Sequence, residues 1–451
     1  MEDFSKYQDV PGQLMFLKTY THIVLGFPIA DGVSDDAVAG DIQAAAGKLT
    51  DAFPWLTGHV VREGAGPGNS GVAKIAPYPP GARPTSVVVV KDRRSLCPSL
   101  QSIVDAGAPM SMLDGELLSS RDAMPISYDE SIEPAPVISI QANFIEGGVL
   151  IAFAAQHNIL DMNGMAQAIR LFAKAYRGEQ FTQYEIEQGN RDRRNIVRLL
   201  GPDEPKTDLT RFTVPPGGAE HPEPPSDVKW AYFNFSGQKL AELKKTASTS
   251  GSWISTDDAL SALVCQRITS ARLQRLGAGP PGTTVGFCRA INGRRYLETP
   301  LPREYMGHMV YCTERVLPVN DAAVTVDLPA LAANFREDIN NLRPAAIHTF
   351  VTAVAESEDK GAITYGALLD YSKYDIIYSS WTGLGLYQET FGALGKPLIA
   401  KREKFKPMES LIYLMPKTNT GDIDVALCLR EEDIGRLKAD ETFMKYAKYI
   451  G

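Results

Sequence analysis

Seven prolines (Pro202, Pro205, Pro215, Pro216, Pro222, Pro224 and Pro225) crowd with glycine and charged residues between Gly201 and Asp227. A stretch this rich in proline cannot continue a helix interior or a central strand, because each proline lacks the N–H that those ladders need. It cuts a chain of 451 residues into two near-equal halves. Each half is large enough to bury a core of its own. The expected organisation is one domain over residues 1–200, a proline-rich linker over 201–227 and a second domain over 228–451.

Apolar spacing fills in both halves. Asp36 to Phe53 carries a helical pattern that stops at Pro54, and Glu63 to Arg83 reads as an exposed Gly/Pro-rich loop. Pro136 to Phe144 reads as a strand, Gly147-Gly148 as a turn, and Val149 to Gln156 as a short buried strand. From Asn163 to Arg177, Met165, Ile169, Leu171, Phe172 and Ala175 line one helical face. Beyond the linker, helices are expected over Ser236–Thr249 and Thr256–Leu276, the second opened by the capping run Ser255-Thr256-Asp257-Asp258. Strands are expected over Val285–Ile291, Ser410–Met415 and Asp424–Leu429, with a last helix running from Glu431 into the C-terminus. Strands alternating with helices in both halves place the chain in the α/β class.

The charge balance narrows the function classes. Forty-six Lys and Arg against 54 Asp and Glu give a net charge of −8, which offers no support for binding nucleic acid. Five scattered cysteines (Cys97, Cys265, Cys288, Cys312 and Cys428), never in CxxC spacing, suit reduced thiols and speak against structural zinc. The first residues lack the basic-then-apolar pattern of a signal peptide, and no apolar run approaches the ~18 residues of a membrane span. A cytoplasmic protein, working as a monomer and away from membranes, is the expectation.

Chemistry gathers at the end of the buried strand, in Gln156-His157-Asn158-Ile159-Leu160-Asp161-Met162-Asn163-Gly164. A neutral imidazole with a pKa near 6.5 can take a hydroxyl proton at working pH. The spacing alone fits equally well a satisfied histidine at a strand end followed by an aspartate that caps the next helix. The remaining histidines, His22, His59, His221, His308 and His348, form no cluster in the sequence, and no metal site is expected. Phosphate-binding glycine fingerprints are also lacking, since Gly383-Leu384-Gly385 has no third glycine.

The segment His157 to Gly164 resembles the HxxxDG signature of the BAHD acyltransferases, a family related in fold to chloramphenicol acetyltransferase. Ser255 to Leu263 resembles the family's helix start on the coenzyme A side, Ala290 to Arg295 its Asp/Asn-x-Arg strand end, and Phe391 to Pro397 its DFGWGKP loop. The similarity runs nearly end to end, weakening in the linker and from Leu297 to Val316. It implies two chloramphenicol-acetyltransferase-like α/β domains with an active-site tunnel between them. The implied reaction is acetyl transfer from acetyl-CoA, a co-substrate rather than a resident cofactor, to a hydroxyl of a small, largely apolar alcohol. A fungal secondary metabolite, with trichothecene-like sesquiterpenoids foremost, is the acceptor class to test first.

Residue by residue, the resemblance makes His157 the general base and gives Asp161, Gly164 and Arg294 the structural support, with Asp161 paired to Arg294 rather than to the imidazole. Ser380 and the backbone around Trp381 are the candidates for stabilising the oxyanion. Ser255 and Thr256 could meet the pantetheine arm or a phosphate at a helix start. Lys396, Lys401, Arg402 and Lys404 could meet the nucleotide phosphates, although a charge run also suits a solvated face. One departure stands out: the DFGWG-like loop begins with Thr390 in place of Asp, lacks the Trp and holds an extra residue before Gly395. A loop repacked in this way should leave the aspartate's usual arginine partner absent or solvated. Two other readings stay open: an enzyme that takes its acyl group from a carrier-protein thioester, whose HHxxxDG motif would put His where Gln156 stands, and a non-catalytic binding protein.

Overall fold

The computed structural model describes residues 4–79, 81–82, 84–124, 134–215, 225–248 and 253–451. Its first large sheet has five strands in the order Ile399–Lys401, Tyr20–Pro28, Gly148–Gln156, Ile138–Ile145 and Val88–Asp92. Every residue of Gly148–Gln156 is buried. Helices Asp35–Ala52 and Met162–Tyr176 pack on one face of this sheet, and helix Leu100–Asp105 packs on the other. A strand covered on both faces has no need of polar alternation, which is why VLIAFAAQ is apolar almost throughout.

The second sheet has seven strands, in the order Val310–Pro318, Thr284–Asn292, Ile376–Ser380, Leu411–Leu414, Ile423–Arg430, Val228–Phe235 and Lys448–Tyr449. Helices Gly237–Ala247, Thr256–Leu276 and Leu328–Asn340 share its main core. The molecule is thus a two-domain α/β fold, as the alternation of elements implies.

Four sequence expectations change. The strand Ile399–Lys401 lies far into the C-terminal half of the chain, yet it pairs antiparallel with Tyr20–Pro28 through Val24 and Lys401, Leu25 and Ala400, and Gly26 and Ile399. The halves therefore share a sheet. Residues 201–215 of the proline-rich stretch are not a free tether: Phe212 is buried against Phe350, Tyr311 and Tyr365, and Thr207 N–H donates to Thr349 Oγ1. Residues 216–224 of the expected linker, with His221, lie outside the described residues. The last helix stops at Ala439, because the Asp440 carboxylate caps a new four-residue helix at Thr442 and Phe443, after which Lys448–Tyr449 joins the second sheet. The expected loop Glu63–Arg83 also contains a strand, Val72–Ala76, anchored by buried Ala73 and Ile75.

Candidate active site

The buried strand Gly148–Gln156 leaves the first sheet directly into a tight turn. His157 N–H donates to the Thr19 carbonyl at 2.8 Å, and the N–H groups of Ile159 and Leu160 return to the Gln156 carbonyl at 2.9 and 3.0 Å. The turn ends at Asp161, whose Oδ1 accepts from Gly164 N–H at 2.8 Å and caps helix Met162–Tyr176. The four-residue spacing between His157 and Asp161 is therefore the length of one strand-to-helix turn.

Capping is only half of what Asp161 does. Arg294 meets it with two parallel bonds, Nη1 to Oδ2 at 2.6 Å and Nη2 to Oδ1 at 2.9 Å, and Met309 N–H donates to Oδ2 at 2.8 Å. Arg294 also donates to the Gly307 carbonyl at 2.6 Å, so the pair ties the turn to loop 305–309. Burial alone would raise the Asp161 carboxyl. The charge and hydrogen bonds of Arg294 outweigh burial and hold it down at about 2. Gly164 is needed for a simple steric reason: a Cβ there would sit 2.1 Å from the Met306 carbonyl oxygen.

Among the described residues no hydrogen bond joins Asp161 to the imidazole, and His157 Nδ1 is buried without a partner. Burial is the largest influence on this imidazole and lowers its pKa below the ordinary value, with Asp161 opposing the shift and Arg402 adding to it. The ring is consequently neutral at pH 7 and carries a lone pair for a proton. Two more segments brace the turn. Asn158 Nδ2 donates to the Gly12 carbonyl, and Arg193 Nη1 donates to the Ile159 carbonyl at 3.1 Å.

The other sequence candidates divide sharply. Ser380 ends a strand with its hydroxyl 3.1 Å from that of Thr382, whereas Trp381 N–H is spent on the Leu414 carbonyl at 2.8 Å, so that backbone group is not free for an oxyanion. Ser255 Oγ donates to Asp258 and accepts from Arg336, a capping role that occupies it fully. Thr256 follows it at the helix start, and Lys396 is exposed on its loop.

Lys401 and Arg402 are not on a solvated face. Lys401 Nζ pairs with Asp424 at 2.8 Å and also donates to the carbonyls of Gly107 and Ala108, which uses all three of its hydrogens. Arg402 is only 2% exposed, and its guanidinium lies 4.0 Å from the Phe405 ring centre, 4.8 Å from Tyr413 and 5.7 Å from Trp381. Among the described residues no carboxylate pairs with it. Lys404 is exposed.

The structure also gathers histidines that the sequence leaves scattered. His22 pairs with buried Glu403 at 2.7 Å, and the His308 ring centre lies 5.2 Å from that of His157. No sequence signal marks either contact, since 381 and 151 residues separate the partners. The described residues hold no group of three metal-ligating side chains. At the Thr390 loop a partly exposed arginine, Arg177, donates through Nη1 to the Thr390 carbonyl at 2.6 Å. Gly395 at φ 74° closes the lengthened turn through the Phe391 N–H.

Comparison with known proteins agrees with this geometry. Residues 19–176 match the trichothecene 3-O-acetyltransferase-like N-terminal domain, and residues 118–444 match the Transferase family. The O-acyltransferase pigD of Monascus ruber is 42% identical over all of both chains. Trichothecene 3-O-acetyltransferase TRI101 of Fusarium sporotrichioides is 35% identical, covering 100% of this chain and 98% of the relative. The crystal structure of F. graminearum TRI101 complexed with coenzyme A and deoxynivalenol superposes with a TM-score of 0.90 at 33% identity, covering 98% of this chain and 99% of that one. These relatives support transfer from acyl-CoA over the carrier-protein alternative. The chain belongs to the Transferase family of BAHD-type enzymes and is an acyl-CoA-dependent O-acyltransferase.

Proposed function

We propose that this enzyme moves an acetyl group from acetyl-CoA to a hydroxyl of a small, largely apolar fungal alcohol, with His157 as general base. The observation that carries the reading is the neutral His157 ring at the end of a rigid turn whose carboxylate is locked away by Arg294. This differs from a catalytic triad, where carboxylate and imidazole touch. His157 Nε2 takes the acceptor's proton as its oxygen attacks the thioester carbonyl carbon. The C–S bond then breaks, and the imidazolium returns the proton to the thiolate of coenzyme A. Ser380 is the donor we assign to the tetrahedral oxyanion, and Thr256 and Lys396 are the residues we assign to coenzyme A.

The acceptor named in the TRI101 complex, deoxynivalenol, makes a trichothecene with a free 3-hydroxyl the first alcohol to try. Incubation of the protein and acetyl-CoA with a panel of terpenoid, alkaloid and polyketide alcohols should give one product heavier by a single acetyl group. Failure of every alcohol in the panel to gain an acetyl group would remove the proposed acceptor class. His157→Ala should lower kcat by ~10²- to 10⁴-fold while leaving affinity for acetyl-CoA nearly intact. A variant that keeps more than about a tenth of wild-type kcat would remove the base assignment. Among the described residues no helix is long and apolar enough to cross a membrane. We take the enzyme to be a cytoplasmic monomer, which fractionation and size-exclusion chromatography would test.

A further inference from the structure

Loop 305–309 delivers a second imidazole to the base. The His308 and His157 rings are 5.2 Å apart at an interplanar angle of 53°, and His308 Nδ1 lies 3.0 Å from the backbone carbonyl oxygen of His157. A carbonyl only accepts, so His308 Nδ1 carries the hydrogen and donates it. His308 is held firmly for this contact. Its backbone N–H donates to Asp9 Oδ2 at 3.1 Å, and Asp9 also receives the Tyr305 hydroxyl and Arg193 Nη1.

The carbonyl that His308 engages also matters to the base. For Nε2 of His157 to hold a lone pair toward an acceptor, Nδ1 must carry the hydrogen. The backbones of Leu160 and of His157 itself both favour the protonated ring. No regular hydrogen bond reaches Nδ1, which is buried and unpartnered. Were the His157 carbonyl released, it could close on its own imidazole, turning the ring and making it more basic.

We propose that His308 is a positioning residue that holds the His157 carbonyl off its own imidazole and so fixes the direction of Nε2. The inference rests on the reading of His157 as the base. His308 does this without adding a like charge, since burial above all, and then His157, push its pKa down to about 3. The other charged groups around the two rings are Asp161 and Arg402 toward His157, Asp161 and Arg294 toward His308, and Asp9 with Arg193 behind the loop.

The test reads the ionisation of His157 directly, from the pH dependence of its carbethoxylation by diethyl pyrocarbonate followed by peptide mass spectrometry. His308→Phe keeps a ring but loses the donor. Its His157 midpoint should rise by about half to one pH unit, the worth of one net hydrogen bond. In turnover, kcat should fall with KM for acetyl-CoA unchanged. His308→Asn can still donate to the carbonyl and should return the midpoint toward wild type. Should His308→Phe fail to fold, His308→Leu takes its place in the comparison. A midpoint that stays put, or that moves equally with and without the donor, overturns the proposal. The His157→Ala assay tests the base assignment separately, and the midpoint reports on His308 whichever way that assay falls.

Discussion

Asp161 is the residue on which most of the site's geometry converges, because one carboxylate both caps a helix and anchors Arg294. Removing one partner of a buried ion pair costs roughly 3–5 kcal/mol, so Asp161→Asn should lose stability and activity together. In the double variant Asp161→Asn/Arg294→Met, part of that loss should be recovered. Simple addition of the two single losses in denaturant melts would mean that the pair has no coupling. The two ionisations also predict how stability falls with acid. His308 is depressed from 6.5 to about 3, so its contribution is full above pH 6.5 and erodes as the pH falls toward 3, by up to ~1.4 kcal/mol per pH unit. Asp161 is held down at about 2, so its contribution is intact above the ordinary carboxyl value of 3.8 and is lost only between there and 2. Melting temperatures should therefore start to drop below pH 6.5, and His308→Phe should flatten that first limb; an unchanged limb would show that His308 does not set it. At this scale the sequence is legible where residue types repeat a known constellation, as His157, Asp161 and Arg294 do. It is silent on His308, whose partner is a backbone carbonyl and leaves no mark in residue type.

Elements explain the misread charges. The run of Lys401, Arg402 and Lys404 looks like a solvated face, but Ile399–Lys401 is the outermost strand of the first sheet, and all three of its residues are buried. Lys401 and Glu403 thereby find buried partners, whereas Arg402 finds three aromatic rings. Strands such as Tyr20–Pro28, Val228–Phe235 and Val310–Pro318 and helix Leu328–Asn340 went unread, but the elements that the sequence analysis does give, the last helix apart, were readable to within a few residues, since buried strands and amphipathic helices impose their own periods on the chain. The crossing strand was not, because three residues carry no period. The Thr390 loop belongs at this scale too. With Arg177 beside the Thr390 carbonyl and already paired to Glu179 at 2.6 Å, Thr390→Asp would place a half-exposed carboxylate near an occupied cation. The change in stability should be about 1 kcal/mol or less, as for surface pairs generally, with KM for acetyl-CoA unaltered. A large stabilisation in a thermal melt would show that the loop retains a vacant site for an acid.

For the whole molecule, the shared sheet makes the two halves interdependent. Lys401 joins the first sheet through its strand, reaches the second through Asp424, and bonds the carbonyls of Gly107 and Ala108 as well. Lys401→Met should strand a buried carboxylate at a cost of roughly 3–5 kcal/mol, lowering a single common unfolding transition. If calorimetry resolved two transitions and only one moved, the halves would be folding apart. The same crossing also governs how the chain can be born. On the ribosome, strand Tyr20–Pro28 must wait for Ile399–Lys401 before its outer edge is covered. At ~5–20 residues per second that wait is on the order of 20–75 s, through which the nascent sheet offers a bare ladder of N–H and C=O groups to any neighbouring chain. Faithful production of this enzyme therefore depends on shielding one unfinished edge for nearly the whole of translation, a demand set by the path of three residues.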